Sequence, residues 1–358
     1  MNVMIMHGRL HFASVLLLGA LLFAFAAPDA RGQERTVAIG YIKIALPWLG
    51  MIADGTFDRE TGYKINWVPH VTGAQAIQDL HDGKVQIAFS GSTGIAVGMS
   101  ADVNMELFWI AADIAYSEAL VARNQSKIVT PRDLRGKRIG VPFWSTAHFH
   151  LLFALEQFGF KEDDVKIVNL TPGQIVDNWK AGAIDAAFVW YPALEELLPT
   201  GTAMLWSGWI NRWGKTTFDG LIAHRQWSAA NPEFMTKFVG LIEDAKAKYR
   251  ADPAKWTREA PEVQAIARAL GGGANVPVLL AALNYPDIRE QLSSDWLGGG
   301  KNGTAAVSLR ETARFLERSG RVKKVADDYS AFINPRWAQA VLAEQQKRTS
   351  APTDMLKK

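Results

Sequence analysis

The sequence contains no cysteine, which removes several kinds of chemistry from a chain of 358 residues. Without a thiol there can be no disulfide, thiolate nucleophile, thiolate metal site or lipid-anchored cysteine. The fold must therefore depend on its hydrophobic core, and hydrophobic residues make up 48% of the chain. This length and composition predict a globular protein with two domain-sized units.

The chain also lacks a strong surplus of either charge. It has 39 Lys and Arg against 36 Asp and Glu, a formal net charge of +3, and the basic residues are scattered along the sequence. Nucleic-acid binding requires a basic patch or stripe. We therefore expect no nucleic-acid partner.

Catalytic and metal-binding motifs are missing as well. There is no His-Glu-x-x-His sequence, and His148 and His150 are two positions apart, so on a helix they point to different sides. The segments "GWINRWGKT" and "GGGKNGT" fail the spacing or the Ser/Thr requirement of a nucleotide-binding loop. We expect no metal, no cofactor and no enzymatic activity.

Residues 1–32 are predicted to be a secretory signal peptide. Arg9 precedes an uncharged apolar run from Phe12 to Ala27, which is followed by small residues. The run is shorter than the roughly 20 residues of a membrane-spanning helix, and cleavage is expected after Ala26 or Gly32. The mature protein is thus predicted to be soluble and periplasmic, and residues 346–358 to be a disordered tail.

Short apolar or β-branched runs alternate with segments of helical periodicity. This alternation predicts an α/β fold with mostly parallel strands. The helical pattern covers 74–83 and 148–159, and the predicted strands are 36–42, 84–90, 118–123, 137–143, 164–170 and 183–190.

The strand and helix pattern occurs twice. Gly40 and Gly140 both lie at the end of a predicted strand, and Gly83 and Gly182 both follow a helix end at nearly the same distance further along. The alternative is a chance recurrence of strand and helix, which is common in α/β proteins. A true repeat predicts two similar lobes with a ligand cleft between them, at the carboxyl ends of the strands.

Hydroxyl residues are found where two strands meet helices. Ser145 and Thr146 follow the strand "KRIGV", and Ser90, Ser92 and Thr93 lie in "SGSTG". Such residues can bind an anion together with the unpaired amides and positive dipole end of a helix. They can equally serve as helix caps, and the residues alone leave both interpretations open.

Two acids and one tryptophan complete the set of candidate ligand-binding residues. Glu118 in "SEAL" and Asp219 in "TFDGLIA" lie at the edges of apolar runs, where a carboxylate can either stay solvated or pair with an ammonium group in a cleft. Trp190 ends the strand "AAFVW". Its indole can cover a ligand's methylenes and donate to an anion, or it can simply pack in the core.

These segments together resemble the sulfonate, nitrate and thiamine-precursor binding family of periplasmic substrate-binding proteins, and within it the taurine-binding members. The matching segments include "GKVQIAFSGSTGIAV", "SEALV", "DLRGKRIGVPFWSTAHFHLL", "IVNLTPGQIVDNWKAGAIDAAFVWYPAL", "WGKTTFD" and "VADDYS". The resemblance implies the two-lobed type II periplasmic binding protein fold. Lobe I would comprise 35–118 and 220–345, and lobe II 119–219.

The resemblance also implies a ligand-binding function without a catalysed reaction. The chain is expected to be a monomer that captures taurine or a similar small sulfonate by lobe closure and docks on the membrane permease of an ATP-binding-cassette importer. Ser145, Thr146 and Trp190 would contact the sulfonate, and Asp219 and Glu118 the ammonium. Ser92 and Tyr41 would close the first-lobe wall. The alternatives are a general aliphatic sulfonate binder and an enzyme of the pyrimidine-forming thiamine pathway on the same fold.

Overall fold

The computed structural model describes residues 35–350, so the predicted signal peptide lies outside the described residues. The strands are β1 Thr36–Ile42, β2 Lys64–His70, β3 Ile87–Gly91, β4 Met105–Asp113, β5 Glu118–Arg123, β6 Arg138–Val141, β7 Lys166–Asn169, β8 Ala186–Trp190, β9 Gly201–Trp206 and β10 Phe218–His224. The helices are α1 Gly50–Ala53, α2 Thr56–Thr61, α3 Gly73–His81, α4 Ser92–Ser100, α5 Thr146–Gln157, α6 Pro172–Lys180, α7 Ala193–Leu197, α8 Ser207–Arg212, α9 Arg225–Ala230, α10 Pro232–Ala251, α11 Pro261–Leu270, α12 Val276–Ala281, α13 Ile288–Leu292, α14 Thr304–Arg318 and α15 Arg336–Ser350.

The strands form two five-stranded sheets of the same design. The first sheet has the order β2-β1-β3-β10-β4 and the second the order β7-β6-β8-β5-β9. In each sheet the fourth strand in this order is antiparallel to both of its neighbours, and the other strands point the same way. The expectation of a two-lobed α/β fold with mostly parallel strands is confirmed.

The two antiparallel strands are those that carry the chain between the sheets. β5 follows β4 of the first sheet but pairs in the second, and β10 follows β9 of the second sheet but pairs in the first. Because each runs against its neighbours, its first residues lie at the carboxyl edge of the parallel strands. We call β5 and β10 the crossover strands.

The internal repeat predicted from the glycines is present in the strand register. Gly40 pairs with Val68 and Ala88, and Gly140 pairs in the same way with Val168 and Ala187. The repeat also places "SGSTG" at the junction of β3 and α4, so its counterpart in the second sheet is the segment at the end of β8 and not the Ser145 junction.

Alternating residues of each sheet pack on opposite faces, as the period of two in a strand requires. In the first sheet Leu221 packs in a core with Trp48, Phe57 and Phe238, whereas Ile222 packs against α4 and α14. In the second sheet Leu120 and Val121 divide in the same way between two clusters. Both sheets are therefore covered on both faces.

Some sequence predictions need correction. β2, β4, β9 and β10 were not among the predicted strands, and α15 continues to Ser350, so the predicted tail is helical over 346–350. Residues 351–358 lie outside the described part, and the predicted lobe boundaries stay a prediction. Among residues 35–350 no helix is both long and apolar enough to cross a membrane.

We predict that Gly40→Ala lowers the free energy of unfolding by about 1–3 kcal/mol, because overpacking a rigid site is costly. A Cβ at Gly40 would lie 2.4 Å from Cε1 of His70, whose buried ring is held by a 2.9 Å contact to Asp79. In the control Gly140→Ala, the Cβ would meet the terminal methyls of Ile184 and Leu170 at 3.0 and 3.2 Å and Cγ1 of Ile175 at 3.4 Å, all in aliphatic side chains. Chemical denaturation should show the larger loss for Gly40→Ala, and equal losses would contradict this account.

Candidate functional site

A cavity lies where the ends of strands from both sheets meet. It encloses about 610 Å³ including its opening to solvent, and we call it the inter-sheet cavity. Glu118, Ser145, Thr146, Trp190 and Asp219 all line it, so the structure brings together five of the seven residues expected to contact the ligand. The other lining residues are Ile42, Ile44, Ala45, Gly73, Phe89, Ser90, Gly91, Ser117, Trp144, Tyr191, Leu279 and Leu283.

Helix α5 begins at the cavity wall. The Ser145 hydroxyl accepts a hydrogen bond from the His148 amide at 3.1 Å and donates to the Pro142 carbonyl at 2.6 Å, so Ser145 is the helix cap. The amides of Thr146 and Ala147 have no hydrogen-bond partner among residues 35–350. Unpaired amides at the positive end of a helix form an anion site. Backbone groups, rather than the Ser145 hydroxyl, are thus the available donors.

Glu118 is buried and bonded to hydroxyl groups on both oxygens. The Thr146 hydroxyl donates to Oε1, and the Ser207 Oγ lies 3.0 Å from Oε2. Desolvation raises the pKa of Glu118 to about 7, although hydrogen bonds from Thr146 and Ser207 to the ionised form oppose the rise. The Thr146 hydroxyl therefore donates to Glu118. The contact with an anionic ligand group that was predicted for this hydroxyl would instead be made by the Thr146 amide.

Asp219 lies beside Glu118 at the start of the other crossover strand. Its neighbour across the sheet is Gly91, the last residue of β3. Desolvation raises the pKa of Asp219 well above its ordinary value, and the nearby carboxyls of Glu118 and Asp113 raise it further. In the described part of the chain, no Lys, Arg or His side chain forms an ion pair with Asp219 or Glu118. This end of the cavity is therefore suited to a cation.

Two tryptophans border the polar groups. Trp190 ends β8 and pairs with Glu118 in the strand register. Trp144 has a φ of +65°, a left-handed conformation that is uncommon for a non-glycine residue and costs of order 1 kcal/mol. Its amide donates to Nδ1 of His148 at 3.2 Å, which helps to hold this conformation. No role was predicted for Trp144 from the sequence.

The predicted roles of Ser92 and Tyr41 are not matched by their positions. Ser92 is fully buried at the start of α4, and its hydroxyl accepts a hydrogen bond from the Phe218 amide at 3.3 Å. Tyr41 packs edge-on against Trp67, with ring centroids 6.0 Å apart, and the next residue, Ile42, lines the cavity instead. Because neighbouring strand residues point to opposite faces, a shift of one position moves a side chain from the cavity into the core.

Several residues in or behind the cavity wall were not predicted from the sequence. Leu279 and Leu283 come from a region far along the chain and form part of an apolar wall. Ser207 was missed because its only link to the cavity is its contact with buried Glu118. Among residues 35–350 no group of three or more His, Asp or Glu side chains could hold a metal ion.

Comparison with known proteins gives a consistent result. Residues 54–256 match the family model described as NMT1/THI5 like. The chain is 35% identical over 320 residues to the taurine-binding periplasmic protein of Escherichia coli K12, covering 89% of this chain and 98% of that relative.

Solved structures share the fold at low sequence identity. The alkanesulfonate-binding protein of Xanthomonas axonopodis pv. citri, solved with MOPS bound, has a TM-score of 0.68 at 19% identity and covers 84% of this chain and 99% of its own. The desulfurization enzyme DszB has a TM-score of 0.63 at 15% identity and covers 87% of this chain and 100% of its own. Binding proteins and at least one enzyme therefore have this fold.

We predict that Glu118→Gln stabilises the ligand-free protein more at pH 8 than at pH 4.5, by up to roughly 3 kcal/mol in the free energy of unfolding. A pKa of Glu118 raised from 4.5 to about 7 makes a contribution to stability that is complete below pH 4.5 and is lost as the pH rises through 7. Glutamine removes this dependence and keeps the shape of the side chain. Thermal unfolding from pH 4.5 to 8 tests it, with exposed Glu196→Gln as the control. A difference between wild type and Glu118→Gln that does not grow with pH would contradict the burial argument.

Proposed function

Because the chain belongs to the NMT1/THI5-like family, we propose that it is the periplasmic substrate-binding component of an ATP-binding-cassette importer and captures taurine or a similar small amino-sulfonate. The observation that carries the choice of ligand is the pair of buried carboxyl groups without a cationic partner, Glu118 and Asp219, beside the free amides of α5. The similarity to the Escherichia coli taurine-binding protein supports the same choice.

The two ends of a zwitterion have complementary places in the inter-sheet cavity. The sulfonate would accept hydrogen bonds from the amides of Thr146 and Ala147, where the helix dipole favours negative charge. The ammonium would donate to Asp219 and to Glu118. A buried carboxylate without a partner is strongly unfavourable, so a ligand cation that pairs with it recovers much of the desolvation cost.

The remaining cavity wall suits a short aliphatic spacer. Ile44, Leu279 and Leu283 contribute apolar surface, and the Trp190 indole can pack on methylene groups. A longer apolar ligand could also contact these residues. This wall is the feature that favours the second candidate function, a general aliphatic sulfonate binder.

Lobe closure provides the mechanism of capture. Cavity residues come from both sheets, so a bound ligand bridges the two lobes and favours the closed arrangement, which excludes water. The closed monomer would then dock on the membrane permease. In this proposal lobe I comprises 35–118 and 220–345, lobe II comprises 119–219, and residues 1–32 direct export to the periplasm.

A binding role, rather than catalysis, is our proposal for the site. The absence of cysteine excludes a thiolate nucleophile from the whole chain. The buried acids Glu118 and Asp219 have a use in ligand pairing that requires no bond to be broken. Turnover of a sulfonate or sulfinate by the purified protein would overturn this part of the proposal.

We predict that Asp219→Asn weakens taurine binding at least about 100-fold and does not weaken ethanesulfonate binding, which the loss of a buried unpaired charge should instead strengthen. The substitution removes the charge opposite the ammonium while keeping the size of the side chain, and ethanesulfonate has no ammonium. Calorimetric titration of both ligands measures the effect, and the exposed Asp177→Asn serves as the isosteric control. Equal losses for both ligands would remove the amine-binding role from Asp219.

We predict that Gly91→Ala weakens taurine binding about tenfold with little change in the unfolding temperature of the ligand-free protein. Gly91 has an ordinary φ of −67°, so alanine fits the backbone. Its Cβ, however, would lie 3.0 Å from Cγ2 of Thr146, which belongs to the other sheet's helix, and would hinder closure. Gly173→Ala, where a Cβ meets nothing within 4 Å, is the matched control. Unchanged affinity in Gly91→Ala would show that this approach does not limit closure.

A further inference from the structure

Behind Glu118 lies a chain of hydrogen bonds that leads away from the inter-sheet cavity. Oε2 of Glu118 is 3.0 Å from Oγ of Ser207, and that Oγ is 2.8 Å from Nδ1 of His150. Nε2 of His150 is 2.9 Å from the carbonyl oxygen of Lys215. Glu118, Ser207 and His150 are all buried, with His150 and Ser207 at 0% exposure, so water cannot replace a missing partner easily.

The number of hydrogens in this chain can be counted from its last member. The Lys215 carbonyl can only accept, so Nε2 of His150 must carry a hydrogen. In a neutral imidazole Nδ1 is then an acceptor, and the single hydroxyl hydrogen of Ser207 is donated to it. The remaining contact, between Ser207 Oγ and Glu118 Oε2, is a hydrogen bond only if Glu118 supplies the hydrogen.

The alternative placement of the proton has a higher cost. A doubly protonated His150 would leave Glu118 ionised and would put two charges into a buried region. The His150 ring lies next to Phe149 and Phe188, with centroid distances of 5.5 and 6.3 Å. Burial accordingly lowers the pKa of His150 to about 4. The neutral imidazole and the protonated acid satisfy every group of the chain without a charge.

We propose that Ser207 and His150 are positioning residues that keep Glu118 protonated, so that Asp219 is the one acid of the cavity that ionises when the single ammonium group of a ligand pairs with it. The neutral carboxyl still offers Oε1 as an acceptor. This inference deepens the proposed function and rests on it for the identity of the ligand, but the proton's position in the empty protein does not depend on it.

The charged groups around this hydrogen-bond chain support a protonated Glu118. Asp219, at the start of β10, lies on the carboxyl side and disfavours a second negative charge on Glu118, and Asp113 on the neighbouring strand β4 adds negative charge near Asp219. The Lys215 ammonium is directed elsewhere, 5.8 Å from the Phe153 ring centre and 3.8 Å from Glu311. The other charged residues of α5 and α8, Glu156 and Arg212, are exposed.

A single charge has a consequence for ligand selection. One ammonium beside one carboxylate and one neutral carboxyl forms a cluster without net charge, which is the cheapest to bury. Two carboxylates would instead favour a ligand with two positive charges. The hydrogen-bond chain from Glu118 through Ser207 to His150 therefore selects zwitterions with one amine, such as amino-sulfonates, over diamines or divalent cations.

The position of the proton can be measured directly. In ¹⁵N-histidine-labelled protein at pH 6.5, the resonances of His150, identified by their loss in His150→Phe, should show the neutral tautomer with hydrogen on Nε2, both without ligand and with saturating taurine. An imidazolium or hydrogen on Nδ1 in the empty protein would overturn the proposal. Since the empty protein is measured first, this failure is separate from a failure of taurine to bind.

Ligand binding gives an independent test. Glu118→Gln should keep taurine affinity within about threefold, because its amide can donate to Ser207 and accept from Thr146 as the protonated acid does. Glu118→Ala, which has neither group, should lose at least about tenfold. A loss above about 30-fold in Glu118→Gln, in a variant whose unfolding temperature at pH 6.5 is not lowered, would show that the ionised acid is required and would overturn the proposal.

Discussion

The structure depends on one constraint, the burial of two carboxyl groups in a cavity to which no Lys, Arg or His side chain among residues 35–350 contributes. Glu118 is the first residue of β5 and Asp219 the second residue of β10. These are the crossover strands, which run against their neighbours, so their first residues lie where the parallel strands end. The topology thus delivers one acid from each sheet to the same place. In a water-filled cleft both carboxylates would be solvated, but in a closed cleft each of them requires a cationic partner or a proton.

The opposite charge at this site comes from the backbone. Helix α5 begins beside Glu118 and leaves two amides free, and Ser145 fixes that end by capping it. An anion site made of amides needs no lysine or arginine, which would pair with the acids and neutralise the site. Because the acids and the amides lie a short distance apart, the site selects a small zwitterion. Gly91 permits the close approach of Thr146 that closure requires.

The sequence allowed much of this to be predicted because the relevant residues follow strand ends. Glu118, Thr146, Trp190 and Asp219 could be found in this way, and the repeated glycines indicated two lobes. The side on which a residue faces was harder to predict, since Tyr41 and Ile42 differ by one position and only Ile42 lines the cavity. Contacts between distant segments had no local signal.

Three features show why the rest of the site could not be predicted from the sequence. The bond between Thr146 and Glu118 joins residues 28 positions apart and changes the role of a hydroxyl from anion donor to support for an acid. Ser207 and His150 are 57 positions apart, and each resembles an ordinary core residue in the sequence. The positive φ of Trp144 likewise arises from its tertiary surroundings, because nothing in its residue type favours that conformation.

The central claim is that the buried acids form the cation-binding end of a site for a zwitterion. Calorimetric titration of the purified protein with taurine, ethanesulfonate, β-alanine and nitrate tests it most directly. The account predicts tight binding of taurine and binding of ethanesulfonate at least about 100-fold weaker, because ethanesulfonate leaves Asp219 buried without a partner. Ethanesulfonate that binds as tightly as taurine would contradict the account and indicate a general sulfonate binder.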